Sequence, residues 1–418
     1  MTDSHRPRVL VLTHRVPFPP DKGDRIRTYH ILKWLSGKAD VHLACLADEP
    51  VDPSIIAGLN GLCERSEIVP HQGLGRWSRA LRSFAGGGTV SEGVFDSPVL
   101  RRLLTRWTQS YHYDTVFASA SSLIPYLRRG PLCHIPSVID LVDVDSQKWL
   151  DYAGNGLRPI DWVYRAEGRR LREVERKIAD WASAITFVSE AEASLYRESC
   201  GLDVGPIHAV SNGVDFDYYH PDITPPGASE SPDGCVFVGA LDYRPNVDGA
   251  VWFCREVWPE IRRRVPEATL TLVGRRPVAA VQRLAIDCPG VNLVGQVPDV
   301  RPFVAKAALA VVPLRLARGV QNKVLEALAM RKAVISSPQA VAGVKAVAGR
   351  DLLVASSPKE WADAVSGLLA DPVRRAELGH AGRYYVEENH CWETCLNPFG
   401  RLFGFDEERV ASMASSGA

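Results

Sequence analysis

Residues 308–337 read ALAVVPLRLARGVQNKVLEALAMRKAVISS, and this stretch decides the fold class. The run ALAVVPL at 308–314 is short and apolar, which is typical of a buried strand. In QNKVLEALAM at 321–330 the apolar residues recur at helical spacing, and AVISS at 333–337 is again a short apolar run. A strand, a helix and a second strand in this order require a crossover connection. The stretch therefore predicts a parallel sheet covered by helices.

The same alternation of strand-like and helix-like segments extends along most of the chain and divides it into two halves. Between the halves lies a stretch that is rich in Pro, Gly, Ser and Asp and has no periodicity, which is typical of a linker. We therefore predict an α/β protein with two doubly wound, Rossmann-like domains. The predicted parts are a first domain (1–210), a linker (211–234), a second domain (235–390) and a tail that forms a helix packing back on the first domain (391–418).

Composition excludes several classes of function. Lys plus Arg and Asp plus Glu both number 49, so the global charge gives no argument for a nucleic-acid partner. The nine cysteines are scattered without paired spacing, which favours a reducing cytoplasm over a disulfide framework or a cysteine metal site. No run of about 18 apolar residues is present, so no membrane span is predicted. We expect a cytoplasmic protein with at most peripheral contact with the inner membrane.

The loop after the first predicted strand has the composition of a ligand-binding loop. It reads RVPFPPDKGDRIR at 15–27 and combines three prolines with a glycine, Gly23, and several charged residues. Prolines stiffen such a loop, and glycine permits backbone conformations that other residues avoid. Open α/β sheets bind ligands at the carboxyl ends of their strands. We therefore expect Gly23 to let the backbone of this loop approach a bound ligand. The alternative is that Gly23 serves only the turn.

Taken in order, several of these segments resemble the GT-B glycosyltransferases of family 4. The resemblance rests on SNGVDFDYYHP, FVGAL, TLTLVG, VNLVGQVPDVRPF and NKVLEALAM, and it covers residues 9–399. The resemblance is most specific to one branch of this family, which is associated with exosortase and extracellular-polysaccharide gene clusters of bacteria. Three stretches carry this part of the resemblance: RVPFPPDKGDRIRTYHIL, DLVDVDSQKW and ARGVQNKVLEALAM. The resemblance implies two domains facing a central cleft. It also implies retaining transfer of a sugar from a nucleoside diphosphate sugar to an acceptor, without a metal or other cofactor.

The segment at 318–326 supplies the residues that this reaction needs. Gly319 permits close backbone approach, and Asn322 and Lys323 lie in the first turn of the predicted helix. A lysine there opposes the helix dipole unless an anion lies nearby. Glu326 follows Lys323 by three residues and shares its face of the helix. The resemblance implies that Lys323 binds the diphosphate and that Glu326 bonds the ribose hydroxyls; a surface ion pair is the alternative.

Two positions depart from the family pattern. Arg318 stands where the first of two glutamates is expected, so sugar recognition must differ, and an arginine there could contact phosphate or an acidic sugar. In GALDYRPN at 239–246, Ala240 replaces the usual arginine, and we assign Arg244 to the diphosphate instead. An exposed loop arginine is the alternative. Pro298 is expected to edge the nucleobase through backbone contacts, which cannot distinguish UDP, GDP and ADP.

The segment VIDLVDVDSQKW supplies three acidic residues near a strand end, at 140, 143 and 145. They could indicate a metal site, but caps on the following helix fit equally well. Because the resemblance places a histidine or aspartate near the reacting sugar carbon, we select Asp143 as the residue nearest the chemistry. No metal site is predicted.

The stretch GRWSRALRSFAGGG at 75–88 alternates basic with aromatic and apolar residues. A helix of this kind can lie on an anionic membrane surface, where it would meet a lipid-linked saccharide acceptor. The alternative is that its aromatic residues pack into the first domain. Two rival functions remain open: a noncatalytic nucleotide-binding subunit of a glycosyltransferase complex, which the arginine at 318 favours, and a nucleotide-sugar 2-epimerase.

Overall fold

The computed structural model describes residues 6–20, 23–154, 157–202, 205–222 and 231–405. The chain divides into two compact units, one comprising the residues up to Val210 and from Leu396 onward, the other comprising Ser211–Cys395. Each unit contains one sheet in which every strand pair is parallel. The predicted α/β fold with two doubly wound domains is therefore confirmed.

The first unit has a seven-stranded sheet in the order β3-β2-β1-β4-β5-β6-β7. Its strands are β1 Arg8–Thr13, β2 Asp40–Ala47, β3 Arg65–Pro70, β4 Thr115–Ser119, β5 Ser137–Val142, β6 Ala184–Phe187 and β7 Ile207–Ala209. The helices on its faces are α1 Gly23–Ser36, α2 Pro53–Asn60, α3 Gly75–Ala85, α4 Val90–Phe95, α5 Pro98–Ser110, α6 Ile124–Arg128, α7 Asp145–Ala153, α8 Pro159–Arg176 and α9 Glu190–Cys200.

The core of the first unit lies on both faces of this sheet, as is usual for a parallel sheet. On one face, Leu10 and Leu12 of β1 pack with Leu103 and Trp107 of α5. A buried ion pair links α1 to the sheet: Arg27 donates to both carboxylate oxygens of Asp140 in β5, at 2.7 and 2.8 Å.

The second unit has a six-stranded sheet in the order β10-β9-β8-β11-β12-β13. Its strands are β8 Ser231–Val238, β9 Thr269–Val273, β10 Val291–Gly295, β11 Ala307–Val312, β12 Ala333–Ser336 and β13 Leu353–Val354. Its helices are α10 Arg244–Trp252, α11 Trp258–Arg264, α12 Ala279–Asp287, α13 Arg301–Lys306, α14 Asn322–Ala329, α15 Pro338–Val341, α16 Pro358–Ala370 and α17 Pro372–Asn389. A π-helical turn at Phe253–Val257 joins α10 to α11.

The stretch predicted as a linker, 211–234, is ordered at both ends within the second unit. Val214 pairs with Cys391, and Gly213 lies so close to Trp392 that a Cβ on it would approach the Trp392 backbone nitrogen to 2.6 Å. At the other end, β8 begins at Ser231. The linker prediction is therefore corrected at 211–222 and at 231–234, because these residues find packing and strand partners. Residues 223–230 lie outside the described residues.

The predicted tail, 391–418, divides between the two units. Residues up to Cys395 belong to the second unit, and those from Leu396 belong to the first. Two short helices form here, α18 Trp392–Leu396 and α19 Pro398–Leu402. Phe399 is fully buried, with its ring centroid 6.0 Å from that of Phe117 and 6.3 Å from that of Trp34. Residues 406–418 lie outside the described residues.

Candidate active site

The residues selected around 239–246 and 318–326 lie at the topological switch point of the second sheet. Strand β8 is the first strand of this unit and lies between β9 and β11, so the connections leaving β8 and β11 diverge to opposite sides. Ligands of doubly wound sheets bind outside the carboxyl ends of strands at such a point. Gly239 directly follows β8, and the loop at 313–321 follows β11 and leads into α14.

Lys323, in the first turn of α14, reaches across to the loop that follows β8. Its ammonium donates to Oδ1 of Asn246 at 2.5 Å and lies 4.9 Å from the centroid of the Phe237 ring. Burial lowers the Lys323 pKa from 10.5 to about 8, and the nearby Glu326 carboxyl opposes that shift. Lys323 as a whole residue is half-buried. Lysine has three N–H donors, and Asn246 takes one of them.

Gly239 makes this approach possible. A Cβ at position 239 would lie 2.8 Å from the Lys323 ammonium and 2.7 Å from Nδ2 of Asn246. The next loop is equally close, because a Cβ on Gly274 would lie 1.8 Å from the Gly239 carbonyl oxygen. The two glycines therefore let the loops after β8 and β9 come into contact and let Lys323 and Asn246 approach the first of them.

Glu326 lies one turn further along α14 and lines the same small cavity as Lys323 and Tyr219. Burial raises the Glu326 pKa to about 7, while a hydrogen bond from the Tyr219 hydroxyl and the charge of Lys323 act in the opposite direction. A carboxyl group in this environment is a strong acceptor for hydroxyl donors, because few other polar groups compete for it. The shared helix face predicted for Lys323 and Glu326 is present.

The N-terminus of α14 carries a second amide side chain. Asn322 accepts a hydrogen bond from Asn212 Nδ2 at its Oδ1, at 2.9 Å, and its own Nδ2 is buried with no partner among the described residues. Gly319 has a φ of 60°, in the left-handed region that favours glycine. A Cβ on Gly343 would lie 2.5 Å from the Gly319 carbonyl oxygen, so this loop is closely packed from behind.

The remaining residues selected in the second unit are placed around this loop system. Arg244 is exposed at the first position of α10, two residues before Asn246. Arg318 is half-buried, and its carbonyl accepts a hydrogen bond from Gln321. Pro298 is exposed between β10 and α13. The loop around Pro298 is held by Arg301, whose guanidinium binds Asp299 and lies 3.7 Å from the centroid of the Tyr218 ring.

Gly23 begins a helix in the first unit. It is exposed as the first residue of α1, and no atom of the described residues lies within 4 Å of a Cβ built on it. Its contact with the donor stays a prediction. The open space beside it is compatible with a ligand. Its neighbour Lys22 lies outside the described residues.

Asp143 follows β5 in the first unit, directly after a strained residue. Val142 has a φ of 69°, which is rare for a β-branched side chain, and the Asp143 N–H donates to the Leu141 carbonyl at 2.8 Å. Burial and the nearby Glu192 carboxylate raise the Asp143 pKa to about 7. Backbone strain and a perturbed carboxyl together are typical of functional sites.

The other two acidic residues of that segment have structural partners. Asp140 is fully buried and is paired with Arg27 and Thr186. Asp145 accepts a hydrogen bond from the Ser121 hydroxyl at 2.7 Å. Within the described ranges, no group of three or more His, Cys, Asp or Glu side chains is arranged to hold a metal ion.

The sequence interpretation missed Asn246, Tyr219 and Asn212. Asn246 is only 4% exposed and is the third residue of α10. Its place in the stretch GALDYRPN, two residues after the selected Arg244, is the signal that could have found it. Tyr219 and Asn212 lie in the stretch that the sequence analysis assigned to the linker, so they were not selected as site residues.

Both units match known families of glycosyltransferase domains. Residues 22–213 match the family described as "Glycosyl transferase 4-like domain", and residues 232–371 match "Glycosyl transferases group 1". Among solved structures, sucrose-phosphate synthase from Thermosynechococcus elongatus superposes with a TM-score of 0.69 at 16% identity, covering 97% of this chain and 100% of that one. The Anabaena protein HepE in complex with UDP-glucose gives a TM-score of 0.65 at 15% identity, covering 98% and 99%. At these low identities, the two structural similarities show that the fold is shared and nothing more.

Two curated relatives are similar over part of the chain. A GDP-mannose-dependent alpha-(1-6)-phosphatidylinositol monomannoside mannosyltransferase of Mycobacterium tuberculosis strain H37Rv is 30% identical over 247 residues, covering 53% of this chain and 62% of the relative. An alpha-maltose-1-phosphate synthase of Mycolicibacterium smegmatis is 30% identical over 253 residues, covering 52% and 62%. The matched region thus spans less than two thirds of each relative. Each unit thus matches a glycosyltransferase domain family, in chain order, which supports a family 4 glycosyltransferase with the GT-B fold.

Proposed function

We propose that this chain transfers a glycosyl group from a nucleoside diphosphate sugar to a saccharide acceptor, with retention of the anomeric configuration. The observation that carries the proposal is the pairing of Lys323 and Glu326 on one half-buried helix face at the switch point of the second sheet. A ribosyl diphosphate carries negative charge at one end and ribose hydroxyls at the other. A cation can bind the diphosphate end, and a carboxylate one turn away can accept hydrogen bonds from the ribose hydroxyls. Retention rests on the family resemblance.

Each residue has a separate task in this mechanism. The bond from the sugar's anomeric carbon to the diphosphate oxygen breaks while the acceptor hydroxyl oxygen bonds to that carbon, and the hydroxyl proton passes to the departing diphosphate. Negative charge therefore builds on the diphosphate as it leaves. Lys323 stabilises that charge with its remaining N–H donors, and the unpartnered Nδ2 of Asn322 can donate to the same group. Arg244 and Arg318 are assigned to the diphosphate or an acidic sugar. Because these cations neutralise the leaving group, the proposed reaction uses no metal or other cofactor.

Asp143 is assigned to the region of the anomeric carbon. Its raised pKa leaves the carboxyl close to half-protonated near neutral pH, so small changes in its surroundings determine its charge. Gly23 and the loop before it are assigned to the donor phosphates, and Pro298 to the nucleobase. These assignments follow the family resemblance.

The proposed acceptor is a lipid-linked saccharide of extracellular polysaccharide synthesis, met at the cytoplasmic face of the membrane. Helix α3 supports this part because Trp77 and Leu81, one turn apart, are 54% and 71% exposed. Ala80 is the buried residue of this helix, so Trp77 and Leu81 do not serve the core. Arg82 is exposed and Arg76 and Arg79 are half-buried, and we assign the three to the attraction of anionic headgroups. Among the described helices, none is both long and apolar enough to cross a bilayer.

The membrane contact is tested by co-sedimentation with vesicles of anionic or neutral phospholipid. Replacing Arg76, Arg79 and Arg82 together with glutamine should reduce binding to the anionic vesicles. A control for the loss of three positive charges replaces Arg102, Arg106 and Arg129, which are exposed on other helices or loops of the first unit. Equal binding by both triple variants would contradict the membrane proposal.

The transfer reaction is tested in two steps. A panel of UDP-, GDP- and ADP-sugars is first screened for a rise in melting temperature, since a ligand that binds only the folded form stabilises it. The stabilising donor is then incubated with saccharide acceptors, and the anomeric configuration of the product is read by NMR. Formation of a product with inverted configuration would refute retention. Binding of a donor without transfer to any acceptor would favour a noncatalytic nucleotide-binding subunit, which the arginine at 318 also suggests.

A further inference from the structure

We infer that Asn246 is the positioning residue of Lys323, and that it directs the ammonium toward the diphosphate of the donor. The inference rests on the proposed function for the identity of the anion. The contact joins two elements that are 77 residues apart in sequence, the first turn of α14 and the start of α10. Neither the family resemblance nor the selected residues include it.

The orientation of the Asn246 amide is determined by its two hydrogen bonds. Its Nδ2 donates to the Ala240 carbonyl at 2.8 Å, and its Oδ1 accepts from Lys323. The side chain is 4% exposed, so neither group can exchange its partner for bulk water. Because a carbonyl can only accept, the bond to Ala240 requires that the amide oxygen face Lys323. The loop after β8 thus determines where the lysine ammonium is held.

The other described residues that line the cavity around Lys323 are mainly apolar. The Phe237 ring forms one wall, and Val236, Val238, Ala310 and Val312 line the cavity beside it. Glu326, from the same helix, and Tyr219, from the segment before β8, are the titratable groups of the cavity lining that face Lys323. An amide acceptor holds the ammonium without neutralising its charge, so that charge remains available to an anionic ligand. An aspartate at 246 would neutralise it.

The test combines Asn246→Ala, Asn246→Asp and Lys323→Met with a double variant, Asn246→Ala/Lys323→Met. Affinity for the nucleoside diphosphate that stabilises the protein most is measured by calorimetry. Reactivity of the Lys323 amine toward an acylating reagent is followed against pH by mass spectrometry. Asn389→Ala is the control, because that asparagine also lies in a helix and donates to a backbone carbonyl, that of Tyr385.

We expect Asn246→Ala to weaken nucleotide binding about 10- to 100-fold, the scale of a lost charge-assisted hydrogen bond. In the Lys323→Met background the same change should have less than about a 2-fold effect, because the group that it positions is gone. Asn246→Asp should raise the pH midpoint of Lys323 acylation and still weaken binding. Additive losses in the double variant, or an unchanged acylation midpoint in both Asn246 variants, would overturn the inference.

The acylation measurement needs no nucleotide, so it separates the two claims. If the midpoint moves as expected but no nucleoside diphosphate binds to the wild-type protein, the positioning role stands and the proposed function fails. If nucleotide binds and depends on Lys323 but not on Asn246, the proposed function stands and the positioning role is refuted. Asn246→Asp keeps the size of the side chain, so it serves as the folded reference if Asn246→Ala is unstable.

Discussion

Replacing Lys323 with methionine should weaken nucleotide binding without destabilising the fold. The structure places this ammonium in a half-buried site with its pKa lowered from 10.5 to about 8. A lowering of that size corresponds to about 3 kcal/mol against the charged lysine in the folded protein at neutral pH. The lysine also opposes the dipole of α14, which adds about 0.3–1 kcal/mol. Methionine removes both destabilising contributions. It also leaves the Asn246 oxygen without its hydrogen-bond donor, which destabilises the fold by about 1–3 kcal/mol.

The net expectation is that the free energy of unfolding of Lys323→Met at pH 7 equals or exceeds that of the wild type by up to about 3 kcal/mol. The advantage should shrink between about pH 8 and 10.5, because the wild-type lysine loses its proton in the fold first and its stability then rises with pH. Transfer activity should fall by about 2–4 kcal/mol in kcat/KM, the scale of a lost charged contact to a leaving group.

Urea denaturation and initial-rate kinetics measure the two quantities on the same preparations. Lys332→Met is the matched control, because Lys332 donates to the carbonyls of Ala305 and Ala307 at 2.6 and 2.8 Å and lies outside the proposed site. The control should lose stability and keep nucleotide affinity. If Lys323→Met instead unfolds more readily while binding nucleotide normally, Lys323 is a structural residue and the assignment is refuted.

Three further predictions concern the framework. Arg27→Met should lower the free energy of unfolding by about 3–5 kcal/mol in chemical denaturation, because it leaves Asp140 charged and buried without its cation; a change below about 1 kcal/mol would contradict this. Glu175→Gln should raise the melting temperature progressively as pH rises from about 4.5 to 8, because burial raises the Glu175 pKa to about 8 and the unfolded chain loses that proton first; a gain that does not change with pH would refute it. Gly239→Ala should displace the Lys323 ammonium and weaken nucleotide binding by at least about 10-fold in calorimetry, whereas Gly367→Ala, with no atom within 4 Å of the new Cβ, should leave binding unchanged.

The sequence predicted the features that depend on local periodicity. Short apolar runs such as 308–314, alternating with helical stripes, require parallel sheets, because each crossover helix must cover a sheet face. The helix face shared by Lys323 and Glu326 was predictable for the same reason, since residues three apart in a helix are neighbours.

Features that depend on tertiary contacts could not be predicted in this way. The Lys323–Asn246 hydrogen bond joins residues 77 positions apart, and no local sequence pattern indicates it. The segment at 211–222 has the composition of a linker, yet Val214 finds a backbone partner in Cys391 far along the chain. The need for glycine at Gly239 arises from side chains of two other elements, whereas no atom of the described residues lies within 4 Å of a Cβ built on Gly23.

The central claim is that Glu326 binds the donor ribose while Lys323 binds its diphosphate. It is tested most directly by titrating the preferred nucleoside diphosphate and its 2′,3′-dideoxy analogue into wild-type protein and Glu326→Ala. The account predicts that the wild type binds the dideoxy analogue at least about 10-fold more weakly, and that Glu326→Ala binds both ligands equally because the acceptor of the ribose hydroxyls is gone. If Glu326→Ala discriminates between the two ligands as strongly as the wild type does, the ribose lies elsewhere and the account is contradicted.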